Sequence, residues 1–301
     1  MAGGLKEVRD RIASVKNTQQ ITKAMKMVSA AKLRRAQQAI TEVRPYANKL
    51  NAILRNILSN LEGDDADGGT AFGTERAVRE AVLVVVTSDR GLAGAFNNNI
   101  AKLAAQRLRT QPFADALAAG RLTILPIGKK GGDYLAKRYP KAKVDRQFSD
   151  VTLDTGFENV SRVSRYLMDA FAAGAIDRVD VVYSRFRNAA MQTPTVRQFL
   201  PVEKLEADAA DAGVNADYIF EPSKAELLEY LVPTILQTTF HSYVLDVGAG
   251  EHGARMTAMD KATENADELL RDLKISYNKA RQEVITSELA EIVGGAAALE
   301  G

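Results

Sequence analysis

The stretch SDRGLAGAFN, residues 88–97, holds two glycines between a β-branched run and a segment of helical rhythm. A glycine-bearing turn from strand to helix can bring backbone N–H groups to a phosphate at a helix N-terminus. The spacing is neither GxGxxG nor GxxxxGK[ST], and IGKKGG at 127–132 departs from both patterns too. A tight strand-to-helix turn explains the same residues. Without a Walker-type signature, nucleotide hydrolysis by the chain itself is not expected. His241 and His252 stand eleven residues apart, with Glu251 beside the second. Paired ligands on one helix would stand three or four apart, so no metal site is expected. The absence of cysteine removes disulfides, thiolate zinc sites and thiol nucleophiles together. No cofactor is expected.

Two stretches carry chemistry of contact rather than reaction. Residues 1–40 hold Lys6, Arg9, Arg11, Lys16, Lys23, Lys26, Lys32, Arg34 and Arg35 against only Glu7 and Asp10, although the whole chain is only +2. Such polarity fits an acidic partner. Nucleic acid is one candidate, but no aromatic residue before Tyr46 could stack on a base. The apolar stripe running beside the charge fits a protein partner better, and a solvated face is the bland alternative. Near the other end, Arg281, Gln282 and Thr286 project from one region of a helix and can bond a neighbouring surface or water. The following GGAAAL, residues 294–299, is small and apolar, suited to a snug collar.

The elements that must position these residues follow from periodicity. Leu5, Val8, Ile12, Val15, Met25, Val28, Ala36, Ile40 and Val43 recur at helical spacing, continuing to about Leu61. Such a helix would be roughly 85 Å long at 1.5 Å per residue, with Pro45 bending it or marking a joint. Residues 62–75 read as a glycine-rich acidic loop. AVLVVVT at 81–87 reads as a buried parallel strand. Helices near 97–109, 133–139 and 157–172 alternate with strands LTILPIG and VDVVYSRF, which predicts a three-layer α/β unit. Residues 191–202 predict an edge strand, because Pro194 cannot donate to a ladder. Residues 203–217 read as an acidic surface excursion.

From Ser223, capped with Glu226, a second helical seam runs through Met259, Ala262, Ala266, Leu269, Leu273, Tyr277, Ala280 and Val284. Gly248, Gly250 and Gly253 interrupt it as a flexible joint or a close helix crossing. Two helices this long bury their stripes most simply on each other. The expected fold is an α/β domain inserted between two long terminal helices that form an antiparallel coiled coil. Its expected parts are a helix over 1–62, an α/β domain over 76–202, an excursion over 203–222 and a helix over 223–301. No run of about 18 apolar residues spans a bilayer, and MAGGLKEVRDR has no apolar core like a signal sequence. A cytoplasmic chain is expected.

LKEVRDRIASVKNTQQITKAMKMVSAAKLRRAQ, SDRGLAGAFN, EHGARMTAMDKATENADELL and YNKARQEVITSELAEIVGGA together resemble the gamma-subunit family of the F-type ATP synthase. The resemblance implies a rotor stalk with no chemistry of its own. It implies three alpha and three beta subunits, an epsilon subunit and a membrane c-ring as partners, with no nucleic acid and no membrane insertion. By motif it places Lys23, Met25 and Lys26 near an acidic loop of a beta subunit. Arg281, Gln282 and Thr286 fall at a beta catch loop. Gly294, Gly295, Ala296, Ala297, Ala298 and Leu299 become the tip in an apolar bearing. The implied location is peripheral, on the cytoplasmic face of a bacterial inner membrane. Two other classes stay open on the residues alone: an enzyme using SDRGLAG on a phosphate, and a coiled-coil protein that binds nucleic acid.

Overall fold

A computed structural model describes residues 2–59, 72–202 and 224–300. The expected loop at 62–71, the excursion at 203–222 and the Ser223–Glu226 cap lie outside the described residues. The elements are α1 (Ala2–Ser59), β1 (Ala81–Val86), α2 (Phe96–Arg107), α3 (Phe113–Ala118), β2 (Leu122–Ile127), α4 (Lys129–Arg138), β3 (Lys143–Val144), α5 (Phe157–Ala172), β4 (Arg178–Phe186), β5 (Gln192–Leu200) and α6 (Lys224–Glu300). The described chain divides into two compact units, residues 31–254 and residues 1–30 with 255–301.

In residues 31–254 the sheet runs β3-β2-β1-β4-β5. The first four strands are parallel and β5 returns antiparallel to β4. Every residue of β1 is buried, as a central parallel strand covered on both faces requires. Val84 sits opposite Leu125 on one side and Val181 on the other. Pro194 lies in β5 at the sheet's end, where its missing donor leaves no central ladder bond unmade.

The helix α5 shows how the sequence covers that sheet. Val160, Val163, Leu167 and Phe171 return every three or four residues, with Met168 beside them, and all are buried. Asp154 accepts from the Gly156 N–H at 2.9 Å just before the helix starts. Gly174, at φ +72°, lets the chain leave it. Two carboxylates lock the strand ends. Asp180, 2% exposed on β4, accepts from the Nε atoms of Arg107 at 2.7 Å and Arg178 at 2.8 Å. Asp177 accepts from the backbone N–H groups of Arg79 and Glu80, fixing the entry to β1.

Several boundaries differ from expectation for physical reasons. The helix α4 begins at Lys129 rather than near Asp133, because the β1 turn captures its first N–H groups. The short α3 and β3 carry too little periodicity to be read. Pro45 and the three glycines do not end their helices: α1 passes through Pro45, and α6 through Gly248, Gly250 and Gly253.

Candidate functional site

Of the two glycine-bearing turns where the sequence could have met a phosphate, the one that opens α4 has acceptors for its first three backbone donors. At the start of α4, the Lys129 N–H donates to Asp89 Oδ1 at 3.1 Å. The Lys130 N–H donates to the Ser88 carbonyl at 3.2 Å, and the Gly131 N–H to Thr87 Oγ1 at 2.9 Å. Asp89 supplies at this helix N-terminus the negative charge that a bound phosphate would bring. Its other oxygen accepts from Thr152 Oγ1 at 2.5 Å. Asn97 accepts the Ser88 N–H at 3.0 Å and closes the turn. Gly128 has no substitute here: at φ +88°, a Cβ would stand 2.0 Å from the Thr87 carbonyl oxygen. The tight-turn alternative therefore accounts for IGKKGG, and in SDRGLAGAFN the Ser88 N–H is bonded within the turn.

The glycines of α6 answer their own ambiguity. A Cβ on Gly250 would lie 2.9 Å from Phe96 Cε2 and 3.4 Å from Gln192 Cγ. One on Gly253 would lie 3.1 Å from the Ala189 backbone. These are close crossings inside a continuous helix rather than a joint. His241, on the same helix, has Nε2 2.9 Å from the Thr155 carbonyl and its ring edge-on to Phe157. Burial pushes its pKa down, partly opposed by that carbonyl. Among the described residues no cluster of acidic or imidazole side chains could hold a metal ion.

The two termini pair in the unit formed by residues 1–30 and 255–301. Arg9 Nη2 donates to the Tyr277 hydroxyl at 3.2 Å, and Gln19 Nε2 donates to Asp267. Thr22 and Thr263 share a hydroxyl bond of 2.8 Å, and Lys26 Nζ meets Asp260 Oδ1 at 2.5 Å. The residue numbers of each pair sum to 285 or 286, which is the constant register of antiparallel helices. Apolar layers at Leu5, Val8, Ile12 and Val15 continue into a polar stretch at Gln19, Thr22 and Ser29. The last two are buried. Hydrophobic periodicity misses those polar residues; the ten-residue step from Val15 to Met25 in the apolar series is the only signal of them. It also chooses the wrong neighbour twice. Val28 faces outward while Ser29 is buried, and Leu269 is 40% exposed while Leu270 is buried.

The residues singled out from the sequence fall in two places. Lys23 is exposed and Met25 half-buried, whereas Lys26 is half-buried with its ammonium on Asp260. Exposed Ile21, Met27 and Val28 flank them. Arg281, Gln282 and Thr286 are all exposed. By the register above, residue 284 is the counterpart of Ala2, where α1 begins. From Ile285 to Glu300 the helix α6 thus extends about 24 Å past the start of α1. Ile285, Leu289, Ile292 and Val293 stand exposed on that extension. Gly294, Gly295 and Ala296 are exposed too, while the side chains of Ala297, Ala298 and Leu299 lie outside the described residues.

The fold and these surfaces define a class: paired terminal helices carrying an α/β insertion, with apolar and charged side chains turned outward. The model of the ATP synthase family matches residues 4–299. The ATP synthase gamma chain of Cytophaga hutchinsonii is 51% identical over 298 residues, covering 98% of each chain. Its counterpart from Flavobacterium psychrophilum is 48% identical over 297 residues, covering 99% of each. The chain belongs to the ATP synthase gamma-chain family. Among solved structures, a chain of the Euglena gracilis mitochondrial ATP synthase OSCP/F1/c-ring assembly shares its fold with a TM-score of 0.64 at 23% identity, over 99% of this chain and 95% of that one. A chain of the Tetrahymena thermophila central stalk and c-ring gives 0.56 at 23% identity, over 80% and 99%. No described helix is long and apolar enough to cross a membrane.

Proposed function

We propose that this chain is the non-catalytic rotor stalk of a bacterial F-type ATP synthase, passing rotation of a membrane c-ring to catalytic beta subunits. The observation that carries this reading is the extension of α6 past the start of α1. A lone helix with Ile285, Leu289, Ile292 and Val293 exposed would be poorly suited to water, and a surrounding apolar collar would cover it. Residues 294–299 are the tip in that bearing. Three alpha and three beta subunits form the collar. The α/β domain, over 76–202, meets the epsilon subunit and the c-ring at the cytoplasmic face of the membrane. On this reading the chain binds no cofactor and no nucleic acid.

The stalk acts by differential binding. A partner can shift a conformational equilibrium only by as much as it prefers one state over another. Different faces of the helix pair present different side chains to successive beta subunits. On α1, Lys23 and Met25 meet an acidic beta loop. Lys26 contributes through its pairing with Asp260, which holds the two helices in register beside that contact. On α6, Arg281, Gln282 and Thr286 meet a beta catch loop. One charge crossing about 150 mV yields roughly 3–4 kcal/mol, so several translocation steps must be summed through one stiff element per ATP.

The test is reconstitution with alpha and beta subunits. Arg281→Ala with Gln282→Ala is expected to lower coupled ATP turnover several-fold while leaving the thermal midpoint of the chain within about 1 °C, as for exposed side chains. Wild-type turnover by that double variant would refute the catch-loop contact. Failure of the wild-type chain to co-purify with alpha and beta subunits would refute the rotor reading.

A further inference from the structure

Pro45 lies inside α1. It removes the N–H that would bond to the Thr41 carbonyl, and its ring presses on that same carbonyl. A helix carrying such a defect is normally kinked or weakened there, yet α1 continues as helix on both sides. The residue just before the proline reaches sideways. Arg44 Nη2 donates to the Phe186 carbonyl at the end of β4, at 3.1 Å, and to Asp246 Oδ1 on α6, at 3.2 Å. One guanidinium, on the residue next to the proline, therefore ties three elements of residues 31–254 together.

The partner of Arg44 makes the tie a demanding one. Asp246 is 8% exposed, and burial pushes its carboxyl pKa up, offset in part by Arg44 and Arg185. Removing Arg44 takes the hydrogen-bonded cation from a buried carboxylate and leaves only one farther cation, Arg185, to offset it, which costs more than losing an exposed ion pair. Tyr183 of β4, stacked on Tyr243 with ring centroids 4.2 Å apart, packs beside this tie.

We propose that Arg44 is a positioning residue that splints α1 at Pro45, so that a turning moment on the sheet reaches α1 through a stiff joint. The transmission half rests on the rotor reading above; the splint half does not. The two halves are separable by measurement.

In the full-length chain, hydrogen exchange of the backbone amides at 46–49 reads local opening of α1. Arg44→Ala is expected to accelerate it by roughly ten- to a hundredfold, the factor associated with losing charge-assisted bonds. The decisive variant is Arg44→Ala combined with Pro45→Ala, which restores the N–H to the Thr41 carbonyl and should return exchange to within about threefold of wild type. Because Pro45→Ala by itself strengthens the helix, the rescue is read as a cycle: Arg44→Ala must accelerate exchange less in the Pro45→Ala background than in the wild type, and an equal acceleration in both backgrounds overturns the splint. If Arg44→Ala does not fold, Arg44→Lys, which keeps the charge but offers one ammonium in place of the planar fork, should show intermediate exchange, again rescued by Pro45→Ala. Unchanged exchange in the Arg44 variants, or no rescue, overturns the splint. In the assembled synthase in sealed vesicles, protons pumped per ATP hydrolysed should fall with Arg44→Ala and recover in the double variant. Normal pumping by Arg44→Ala overturns the transmission half. A wild-type chain that fails to assemble overturns the rotor reading, and exchange still decides the splint.

Discussion

Three glycines within six residues of α6 make a graded experiment. Changing glycine to alanine inside a helix gains about 1 kcal/mol in propensity wherever the added methyl has room. A Cβ at Gly248 meets nothing within 4 Å, so Gly248→Ala should stabilise the protein by up to ~1 kcal/mol. At Gly250 the methyl would lie 2.9 Å from a ring carbon of Phe96, a core residue only 5% exposed. Overpacking of this kind costs about 1–3 kcal/mol, so the net change for Gly250→Ala is a loss of about 0–2 kcal/mol. At Gly253 the obstacle is the Ala189 backbone at 3.1 Å, which cannot rotate aside, and a similar net loss is expected. The assay is the thermal midpoint of the unit holding these residues, followed on the full chain. At roughly 2–4 °C per kcal/mol, the gap between Gly248→Ala and Gly250→Ala should reach several degrees. Three substitutions that stabilise alike would refute the close crossings and restore the flexible joint.

The remaining predictions concern charge and seam. His241 is held neutral by burial, its pKa lowered from 6.5. Its contribution to stability is complete above pH about 6.5 and is lost as pH falls through the unfolded value toward the lowered folded one. The thermal midpoint of the wild type should therefore drop more steeply between pH 7 and 5.5 than that of His241→Gln, and parallel curves would refute the assignment. Leu273→Ala, on the buried seam at 8% exposure, should cost about 2–4 kcal/mol in unfolding of the helix pair. Leu269→Ala should cost about 0.5 kcal/mol or less, since Leu269 faces outward. Equal losses at the two positions would mean that the seam runs between them.

What could be read from the sequence had one physical origin. β1, β4, α5 and the two terminal helices announce themselves because each buries a long, regular set of apolar residues, and their order dictates the layout. Hydrophobicity failed where a polar residue does the burying. Ser29 and Thr22 point into the helix pair because register puts them there, and exposed Val28 was the more attractive choice on composition. Leu269 and Leu270 are identical in type, so only the partner helix decides which one is covered. The start of α4 was missed because Lys-Lys-Gly-Gly is a poor helix opening by propensity, and the acceptors that stabilise it come from residues 87–89, some forty positions earlier. Of the proposed contact residues, exposure of Arg281 and Gln282 follows from their side of the seam, and that of Thr286 from its place on the extension past the start of α1. The pairing of Lys26 with Asp260 does not, because it depends on register between chain segments 234 residues apart.

The α/β unit gives the clearest case of a fold separated from its commonest use. With strands ordered β3-β2-β1-β4-β5, the chain leaves β1 in one direction toward β2 and returns on its other side as β4. A doubly wound sheet ordinarily binds a ligand at that reversal, beyond the carboxyl ends of the two strands. Here Phe96 follows β1, Ala189 and Gln192 flank the β4–β5 hairpin, and Gly250 and Gly253 of α6 press against all three. A helix backbone occupies the place of a ligand, and glycine is what allows it so near. Asp89 likewise takes the position of an anion at α4. The first turns a place that would open and close around a small molecule into a packed joint, and the second fills the start of α4 with the chain's own acceptor. For a body whose proposed task is to carry a turning force, stiffness at that crevice is worth more than binding. Enlarging Gly250 should therefore disturb the seating of α6 on the sheet before it disturbs any surface that meets a partner.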